Sequence, residues 1–316
     1  CTHMGAYSFF RDFEVAAGCD VNPERRSLFS KRWGVRRLYT DYRQMIKNEK
    51  PDVVSVCTWT DSHPEITIYA SEAGTKLIIC EKPIALSLRE AKKMLDACRR
   101  NKTRLIINHE RRWDGRYIAV KRMIESGKLG EIRTVVCNVL TNVPAFKKSF
   151  EIDKSSLLHD GTHLCDILCF LLGEPKWVVG FSSEDCVEQT FGIYNFGQTT
   201  VFLEAGGLRG YFNFELDIQG TTGRVIVGNE QLKFFKRAES KRYSGFYELE
   251  EFPFPKFDTT NFFVREMRDV LSLIRGKKKK NESSGLDGFR ALVMIDSFFR
   301  SAKQGSRKVR IKFDKS

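Results

Sequence analysis

Residues 53–83 have the sequence VVSVCTWTDSHPEITIYASEAGTKLIICEKP. The run at 53–57 is short and rich in β-branched residues, which is typical of a strand buried on both faces of a sheet. Residues 62–73 fit a helix that ends at Gly74, and residues 76–80 form a second apolar run. A strand, a helix and a strand at this spacing predict a right-handed crossover in a parallel sheet.

The same alternation continues on both sides of this stretch. Residues 13–19 and 104–108 are apolar runs of strand length, and Asn22 and Ser87 stand at positions where helix caps are favoured. We therefore predict an α/β domain with a Rossmann-type parallel sheet over residues 1–112.

The pattern changes in the rest of the chain, over residues 113–316. Residues 177–254 contain many short strand-like runs separated by turns, which is typical of an antiparallel sheet. We predict a second, α+β domain with a large, mostly antiparallel open sheet, whose exposed face favours a homodimer or homotetramer. Helices are predicted at 115–126, 155–172, 262–274 and 286–302, and a strand at 132–140.

The chain is strongly basic, with 53 Lys and Arg against 40 Asp and Glu and a formal net charge of +13. Its densest basic run, four lysines at 277–280, is followed by NESSG and fits a solvated loop between two helices. No aromatic residues alternate with these lysines, and no nucleic-acid-binding motif is present. We predict no nucleic-acid partner, and the charge favours an acidic or phosphorylated small-molecule substrate.

The length of the apolar runs and the placement of the cysteines indicate the cellular compartment of the protein. The run at 167–172 is far too short to cross a bilayer. None of the nine cysteines forms a CxxC pair, and several, such as Cys57 and Cys80, lie in strand-like runs where a thiol behaves as a small apolar group. This usage favours a reducing compartment over a disulfide scaffold. We predict a cytoplasmic protein with no membrane partner.

Five segments of the chain carry a family resemblance. The main ones are CEKP at 80–83, GTHLCD at 161–166 and the tail at 285–301, with CDVNPER at 19–25 and NHERRW at 108–113 in support. Together, and in this order, they resemble the Gfo/Idh/MocA family of sugar and inositol oxidoreductases. The resemblance implies an NAD(P)-dependent dehydrogenase that transfers hydride between nicotinamide and a sugar, polyol or cyclitol hydroxyl. The alternative is a non-catalytic dinucleotide-binding regulator or scaffold with the same fold.

The amino terminus departs from that family. Members begin with a strand and a GxGxxG loop, and a His followed by Ala-Tyr comes just past the last glycine. His3, Ala6 and Tyr7 match this spacing. The resemblance implies that the strand and loop that hold the pyrophosphate are absent from this sequence. We expect weaker cofactor binding and lower stability than in a complete chain.

Asp20 marks the predicted cofactor site. It ends a predicted strand, where an acid accepts hydrogen bonds from ribose hydroxyls and repels a 2′-phosphate, which favours NAD. Arg25, about one turn on, can hold that phosphate instead, so NADP stays open. In a second interpretation Asp20 only caps the following helix. Thr58, Trp59, His63, Glu81 and Lys82 lie at or just beyond strand ends and complete the predicted cofactor site.

Lys82 and His163 are the predicted catalytic residues. The resemblance implies that Lys82 donates a hydrogen bond to the reacting hydroxyl, and His163 suits the general base that takes its proton. Many family members carry Asp four residues before this His, whereas this chain has His159 there, with Asp160 beside it. His159 and Asp160 are therefore both candidates for the proton relay.

On one continuous helix, His159, His163 and Asp166 would share a polar face opposite an apolar stripe. Such a set can bind a metal ion, but no Glu follows the first His as in a zinc protease helix, so we predict no metal. A buried histidine pair at the seam between the domains is a further interpretation. We assign Asp166 to substrate binding, together with Arg112 and Trp113.

Overall fold

The computed structural model describes residues 2–141, 152–153, 155–183, 186–206 and 209–313. The chain divides into two compact units. The amino-terminal unit comprises Cys1–Trp113 and Thr260–Phe289, and the sheet unit comprises Asp114–Thr259 and Arg290–Ser316.

The described strands of the amino-terminal unit pair only in parallel. β1 (Gly18–Cys19) pairs with β2 (Leu38–Tyr39), and a second sheet contains β3 (Val53–Val56), β4 (Leu77–Cys80) and β5 (Arg104–Ile107) in that order. All four residues of β4 are fully buried, as a central strand covered on both faces requires. The predicted Rossmann-type parallel sheet is confirmed.

These parallel strands lie in two separate sheets. Within the described ranges, β1 pairs only with β2 and β3 pairs only with β4, so each has one edge outside a strand ladder. The strand predicted over residues 13–19 is reduced to the two residues of β1. Phe13 instead packs edge-on against Tyr7 and Phe10, which draws the preceding chain away from an extended path.

Asn22 and Ser87 cap two helices of this unit, as predicted. Asn22 Oδ1 accepts hydrogen bonds from the first-turn N–H groups of its helix. Ser87 Oγ accepts from the Glu90 N–H (3.3 Å) and donates to the Glu90 carboxylate (2.8 Å). The helices are α1 (His3–Tyr7), α2 (Pro23–Trp33), α3 (Tyr42–Glu49), α4 (His63–Glu72) and α5 (Leu88–Arg100).

A helix from late in the chain belongs to this unit. The sequence pattern predicted that all residues after 112 form the second domain. Residues 260–289 belong to the amino-terminal unit. They contain the helix Phe262–Ile274, whose Met267 and Val270 pack in one hydrophobic cluster with Ile79. The helix is amphipathic, and its apolar stripe is buried against this sheet.

The sheet unit contains β6 (Ile132–Leu140), β7 (Trp177–Ser183), β8 (Cys186–Phe196), β9 (Thr199–Gly206), β10 (Asn213–Gly220), β11 (Gly223–Gly228), β12 (Leu232–Glu239), β13 (Tyr247–Phe252) and β14 (Val309–Arg310). Within the described residues they form one sheet in the order β13-β12-β11-β10-β6-β9-β8-β7-β14. Among the strands that the structure describes here, only β6 and β9 are parallel neighbours. The predicted large, mostly antiparallel sheet is confirmed.

The single helix predicted over residues 155–172 is wrong. The unit contains α6 (Gly115–Glu125), and then two helices, α7 (Ser156–His159) and α8 (Gly161–Leu172), joined at Asp160. His159 therefore ends one helix and His163 lies in the next, so the three residues do not lie on one continuous helix.

Glycines allow helices to lie directly on the sheet. A Cβ atom at Gly161 would stand 3.2 Å from the Cβ of Ala205 in β9, so α8 begins against the sheet. The helix Phe262–Ile274 is α9, and α10 (Gly285–Lys303) follows it. A Cβ atom at Gly180 in β7 would lie 2.7 Å from the carbonyl oxygen of Phe298 in α10.

We predict that Gly180→Ala lowers the free energy of unfolding by about 1–3 kcal/mol, because a methyl group there overpacks the contact between β7 and α10. Gly210→Ala is the matched control, since nothing lies within 4 Å of a Cβ atom at that exposed position. Urea unfolding of both variants measures the difference. Equal stabilities would contradict the close approach of α10 to β7.

Candidate active site

Polar residues follow the carboxyl ends of the parallel strands. Asp20 comes after β1, Thr58 lies two residues beyond β3, and Asn108 follows β5. Glu81 and Lys82 follow β4, which is the direct neighbour of both β3 and β5. Open parallel sheets bind ligands at this edge, so the structure brings part of the predicted cofactor site together.

A buried hydrogen-bonded network fixes the residue before Lys82. The ring nitrogen Nε2 of His3 lies 3.0 Å from Glu81 Oε1, and Asn108 Nδ2 donates to the same oxygen at 2.8 Å. Ser55 Oγ is 3.3 Å from His3 Nδ1 and 2.7 Å from the Tyr7 hydroxyl. Because these residues come from α1, β3 and the ends of β4 and β5, the network ties the Glu-Lys-Pro turn to four elements.

The charges of this network support one another. Burial is the largest single effect and opposes a charge on either His3 or Glu81, but their hydrogen bond, their mutual attraction and the effects of neighbouring groups together outweigh it. The pKa of His3 is therefore raised, and the pKa of Glu81 is lowered to about 2. The pair is an ion pair in which Glu81 stays ionised through the physiological range.

His63 connects two of the strand-end loops. Its ring is buried, with Nδ1 2.9 Å from the Pro83 carbonyl oxygen and Nε2 3.1 Å from the Thr58 carbonyl oxygen. The Lys82–Pro83 peptide bond in this loop is cis. Direct cofactor contact by His63 stays a prediction; its observed contacts hold the loops after β3 and β4.

Asp20 and its surroundings fit the ribose end of a dinucleotide. Asp20 Oδ1 accepts the Asn22 N–H at 2.8 Å, and the side chain remains one-third exposed. The cap of α2 is Asn22, so the interpretation that Asp20 only caps this helix is wrong. Arg25 stands 4.0 Å from Asp20 Oδ2, and Arg26 donates to the Asp20 carbonyl oxygen.

Two predicted substrate residues have other surroundings within their own unit. The Arg112 guanidinium is buried, donates to the Glu282 carbonyl oxygen at 2.9 Å and lies 3.3 Å from Asp287 Oδ1. Trp113 is 3% exposed and belongs to the hydrophobic cluster beneath α9. Their roles in substrate binding stay predictions, and these contacts show that both residues also hold the unit together.

The remaining candidates lie around the junction of α7 and α8 in the sheet unit. His163 and Asp166 are both buried on α8. His159 Nδ1 lies 2.6 Å from Asp153 Oδ2, and its Nε2 lies 3.8 Å from Asp160 Oδ1. The junction therefore carries two imidazoles and three carboxyl groups, and Asp153 was not among the residues that the sequence singled out.

A second missed residue is Glu266, a fully buried carboxyl group on α9. Neither of its carboxyl oxygens has a hydrogen-bond partner among the described residues. Burial raises its pKa to about 8, against the attraction of His3 and with the repulsion of Glu81. Its position inside a helical stripe of apolar residues, Val264, Met267 and Val270, was the available sequence signal.

His3, Cys57 and Glu81 also place potential metal ligands within 4.8 Å of one another. Two of the three, His3 and Glu81, already neutralise each other as an ion pair and share Asn108 as a neighbour. The prediction that the protein needs no metal stays a prediction.

We predict that Glu266 makes the fold less stable as pH rises from about 4.5 to about 8. The pKa of Glu266 is higher in the folded chain than in the unfolded chain, so the folded state binds more protons in this window. At about 1.4 kcal/mol for each pKa unit, the loss amounts to a few kcal/mol.

Glu266→Gln removes this part of the pH dependence, while Glu131→Gln, a change at an exposed carboxylate, keeps it. Urea unfolding across that pH range measures the effect. A Glu266→Gln protein whose unfolding midpoint falls with pH as steeply as the parent would show that Glu266 does not titrate this way.

These features define a class of protein. A Rossmann-type parallel unit with an acid after β1 and a Glu-Lys-Pro turn after β4, in one chain with a large open sheet, is typical of nicotinamide-dependent oxidoreductases. Residues 2–109 match the family described as "Oxidoreductase family, NAD-binding Rossmann fold", and residues 117–226 match the "GFO/IDH/MocA C-terminal domain". The chain belongs to the Gfo/Idh/MocA family, and the predicted NAD-binding dehydrogenase family is confirmed.

Curated relatives agree with this assignment. The inositol 2-dehydrogenase of Rhizobium meliloti is 26% identical over 96% of this chain and 93% of its own length. The levoglucosan dehydrogenase of Pseudarthrobacter phenanthrenivorans is 34% identical over 67% of this chain and 64% of its own length. The D-apiose dehydrogenase of Paraburkholderia graminis is 29% identical over 54% of this chain, and the match spans about half, 46%, of that relative.

Solved structures share the fold. The WlbA dehydrogenase from Bordetella pertussis, in complex with NADH and UDP-GlcNAcA, has a TM-score of 0.82 at 20% identity and covers 99% of this chain and 94% of its own. Levoglucosan dehydrogenase in complex with NADH and levoglucosan has a TM-score of 0.82 at 23% identity, over 98% and 95% of the two chains. Of the helices in the described ranges, none has both the length and the apolarity to span a membrane.

Proposed function

We propose that the protein is an NAD-dependent dehydrogenase that oxidises a hydroxyl-bearing carbon of a sugar, polyol or cyclitol. The observation that carries the proposal is the buried His3–Glu81–Asn108 network, which fixes the Glu-Lys-Pro turn at the carboxyl edge of β4. Relatives named as inositol, levoglucosan and apiose dehydrogenases support this substrate class. The basic charge of the chain favours an acidic or phosphorylated member of it.

At the reacting carbon, bound NAD supplies nicotinamide C4 as the acceptor of hydride. Lys82 donates a hydrogen bond to the hydroxyl oxygen and stabilises the negative charge that develops there. His163 takes the hydroxyl proton as general base. His159 and Asp160, at the junction before α8, are proposed to pass this proton on.

On the cofactor side, Asp20 is proposed to accept hydrogen bonds from the ribose hydroxyls and to favour NAD over NADP. Arg25 lies next to it and is the group that would hold a 2′-phosphate if NADP binds. Thr58 and Trp59, which lie between β3 and α4, are proposed to line the nicotinamide end. His63 and Glu81 act mainly by holding these loops.

The second candidate is a dinucleotide-binding regulator of the same fold, and His159 is the observation that favours it. A histidine stands where the resemblance implies the relay carboxylate. NADH fluorescence followed by a screen of sugars, polyols and cyclitols distinguishes the two functions. Cofactor binding without turnover of any such compound would favour the regulator.

We predict that Lys82→Ala and His163→Ala each lower kcat of the full-length protein by about 10²–10⁴, the usual contribution of a positioned acid or base. NADH binding, followed by fluorescence, should persist in both variants. Lys47→Ala, at an exposed position on α3, is the control and should keep parental turnover. Parental turnover in the Lys82 and His163 variants would refute these roles.

An exposed apolar row on the large sheet supports a homo-oligomer. Val136 in β6 pairs with Phe202 in β9, and Phe181 in β7 pairs with Phe191 in β8. These four side chains remain 43–45% exposed, while Val135, Cys137, Val201 and Leu203, next to them in β6 and β9, are buried. Across β8 and β9, Phe202 lies opposite Ile193 and Phe191 opposite Glu204, so the two pairs are diagonal neighbours. An exposed apolar row of this kind marks a protein interface, and we propose that a second copy covers it. A cytoplasmic location stays a prediction.

We predict that Phe202→Glu weakens self-association, because it places a charge in the centre of this row. Light scattering after size exclusion should show the mass falling toward the 36.5 kDa of one chain. Tyr243→Glu is the control, since Tyr243 is 65% exposed between β12 and β13, outside the row. A parent that is already monomeric at micromolar concentration would overturn the proposed dimer face.

A further inference from the structure

Three potential metal ligands from separate elements converge beside the Glu-Lys-Pro turn. A ring nitrogen of His3, the Sγ atom of Cys57 and a carboxyl oxygen of Glu81 lie within 4.8 Å of one another. His3 belongs to α1, Cys57 directly follows β3, and Glu81 directly follows β4. Zinc bonds of about 2.0–2.3 Å in a tetrahedral site place ligand atoms about 3.3–3.8 Å apart, so small side-chain rotations bring these three atoms to one ion.

The chemistry of the three ligands selects the class of ion. An imidazole nitrogen, a thiolate sulfur and a carboxylate oxygen form a mixed set that suits Zn²⁺, whereas Mg²⁺ and Ca²⁺ take oxygen ligands. Three protein ligands leave one tetrahedral position for water or another donor. His3 is buried and Cys57 is exposed, so an ion reaches the site from solvent on the side of the thiol.

Further contacts orient two of the ligands as metal sites require. Asn108 Nδ2 donates to Glu81 Oε1 at 2.8 Å, and Ser55 Oγ lies 3.3 Å from His3 Nδ1. Ser55 can accept the hydrogen of Nδ1, and Nε2, which faces Glu81, is then the nitrogen that binds the ion. Outer contacts of this kind fix the ring orientation of metal-binding histidines and strengthen metal binding.

The net charge of the site is the same with and without the ion. Without it, the His3 imidazolium balances the Glu81 carboxylate. The ligating forms are a neutral imidazole and a thiolate, so the ion replaces the proton between His3 and Glu81 and the thiol proton of Cys57, and both protons pass to solvent. Two positive charges enter as two protons leave, so no unbalanced charge is buried.

A further carboxyl group favours a cation at this place. Glu266 is fully buried on α9, and neither of its carboxyl oxygens has a hydrogen-bond partner among the described residues. It interacts electrostatically with all three ligands, His3, Cys57 and Glu81. The ring centroids of His3 and Phe263 are 5.7 Å apart, so the first turn of α9 packs against the residue that supplies the nitrogen. A cation beside these ligands compensates the burial of the Glu266 oxygens.

We propose that His3, Cys57 and Glu81 form a binding site for Zn²⁺, which ties α1 to the ends of β3 and β4. The inference does not rest on the proposed dehydrogenase function, because no hydride or proton of that reaction passes through the ion. Turnover without a metal stays the prediction, since the His3–Glu81 ion pair holds the same turn when the ion is absent.

The first test identifies the ligands by cobalt absorption. Full-length protein freed of metal and titrated with Co²⁺, which substitutes for Zn²⁺, should develop a thiolate-to-cobalt charge-transfer band that saturates at one ion per chain. Cys57→Ser should lose this band. Cys19→Ser, a change at a half-buried thiol of the same unit, is the matched control and should keep it. A band that is absent from the parent or present in Cys57→Ser would overturn the proposal.

The second test measures the affinity for Zn²⁺ itself by displacement of Co²⁺. Asn108→Ala removes the donor to Glu81 and should raise the dissociation constant for Zn²⁺ about 10–100-fold. Mg²⁺ should not displace Co²⁺ from the parent. Displacement by Mg²⁺ as readily as by Zn²⁺ would show a site made of oxygen ligands and would overturn the assignment of His3 and Cys57.

The third test measures stability. Zn²⁺ should raise the thermal unfolding midpoint of the parent and of Cys19→Ser, because an ion that binds only the folded chain stabilises it. It should leave the midpoint of Cys57→Ser unchanged, and equal midpoints of parent and Cys57→Ser without metal show that this variant is folded. An equal rise in both cysteine variants would place the ion elsewhere on the chain and overturn the proposal.

Discussion

The ion pair between His3 and Glu81 is the interaction on which the candidate cofactor edge depends. A buried carboxylate costs several kcal/mol unless an opposite charge and further donors satisfy it. His3 supplies the charge and Asn108 the second donor, so Glu81 stays ionised at the end of β4. Because Lys82 is the next residue, the same pair fixes the backbone from which the proposed catalytic ammonium extends.

A further buried carboxyl group, that of Glu266, interacts electrostatically with both members of this ion pair. Glu266 on α9 adds a carboxyl group beside it, but burial keeps the pKa of Glu266 at about 8, so near neutral pH it is mostly uncharged. A second ionised carboxylate there would compete for His3. The helix that carries Glu266 belongs to the amino-terminal unit, where its Met267 and Val270 pack in one hydrophobic cluster with Ile79.

In the sheet unit, close backbone packing rather than an ion pair positions the polar groups. Gly161 lets α8 begin against β9, and this placement buries His163 and Asp166. The break at Asp160 separates His159 from that helix and turns its ring toward Asp153. An ion pair thus holds the backbone beside Lys82, and close packing at the start of α8 holds His163, the two proposed catalytic residues.

The sequence by itself determined the parallel and antiparallel sheets, most helix boundaries and the family, because strand periodicity, caps and short motifs such as CEKP are local. The partners of Glu81 and His159, the burial of Arg112 and Trp113, and the place of α9 were decided only by the tertiary structure. The contacts of Glu81 depend on residues far apart in the chain, His3 and Asn108, meeting where burial strengthens charge pairing, whereas Asp153 lies only six residues before His159. Local sequence patterns do not reveal which side chains meet in the folded protein, so they predicted the residue types of the site but not its contacts.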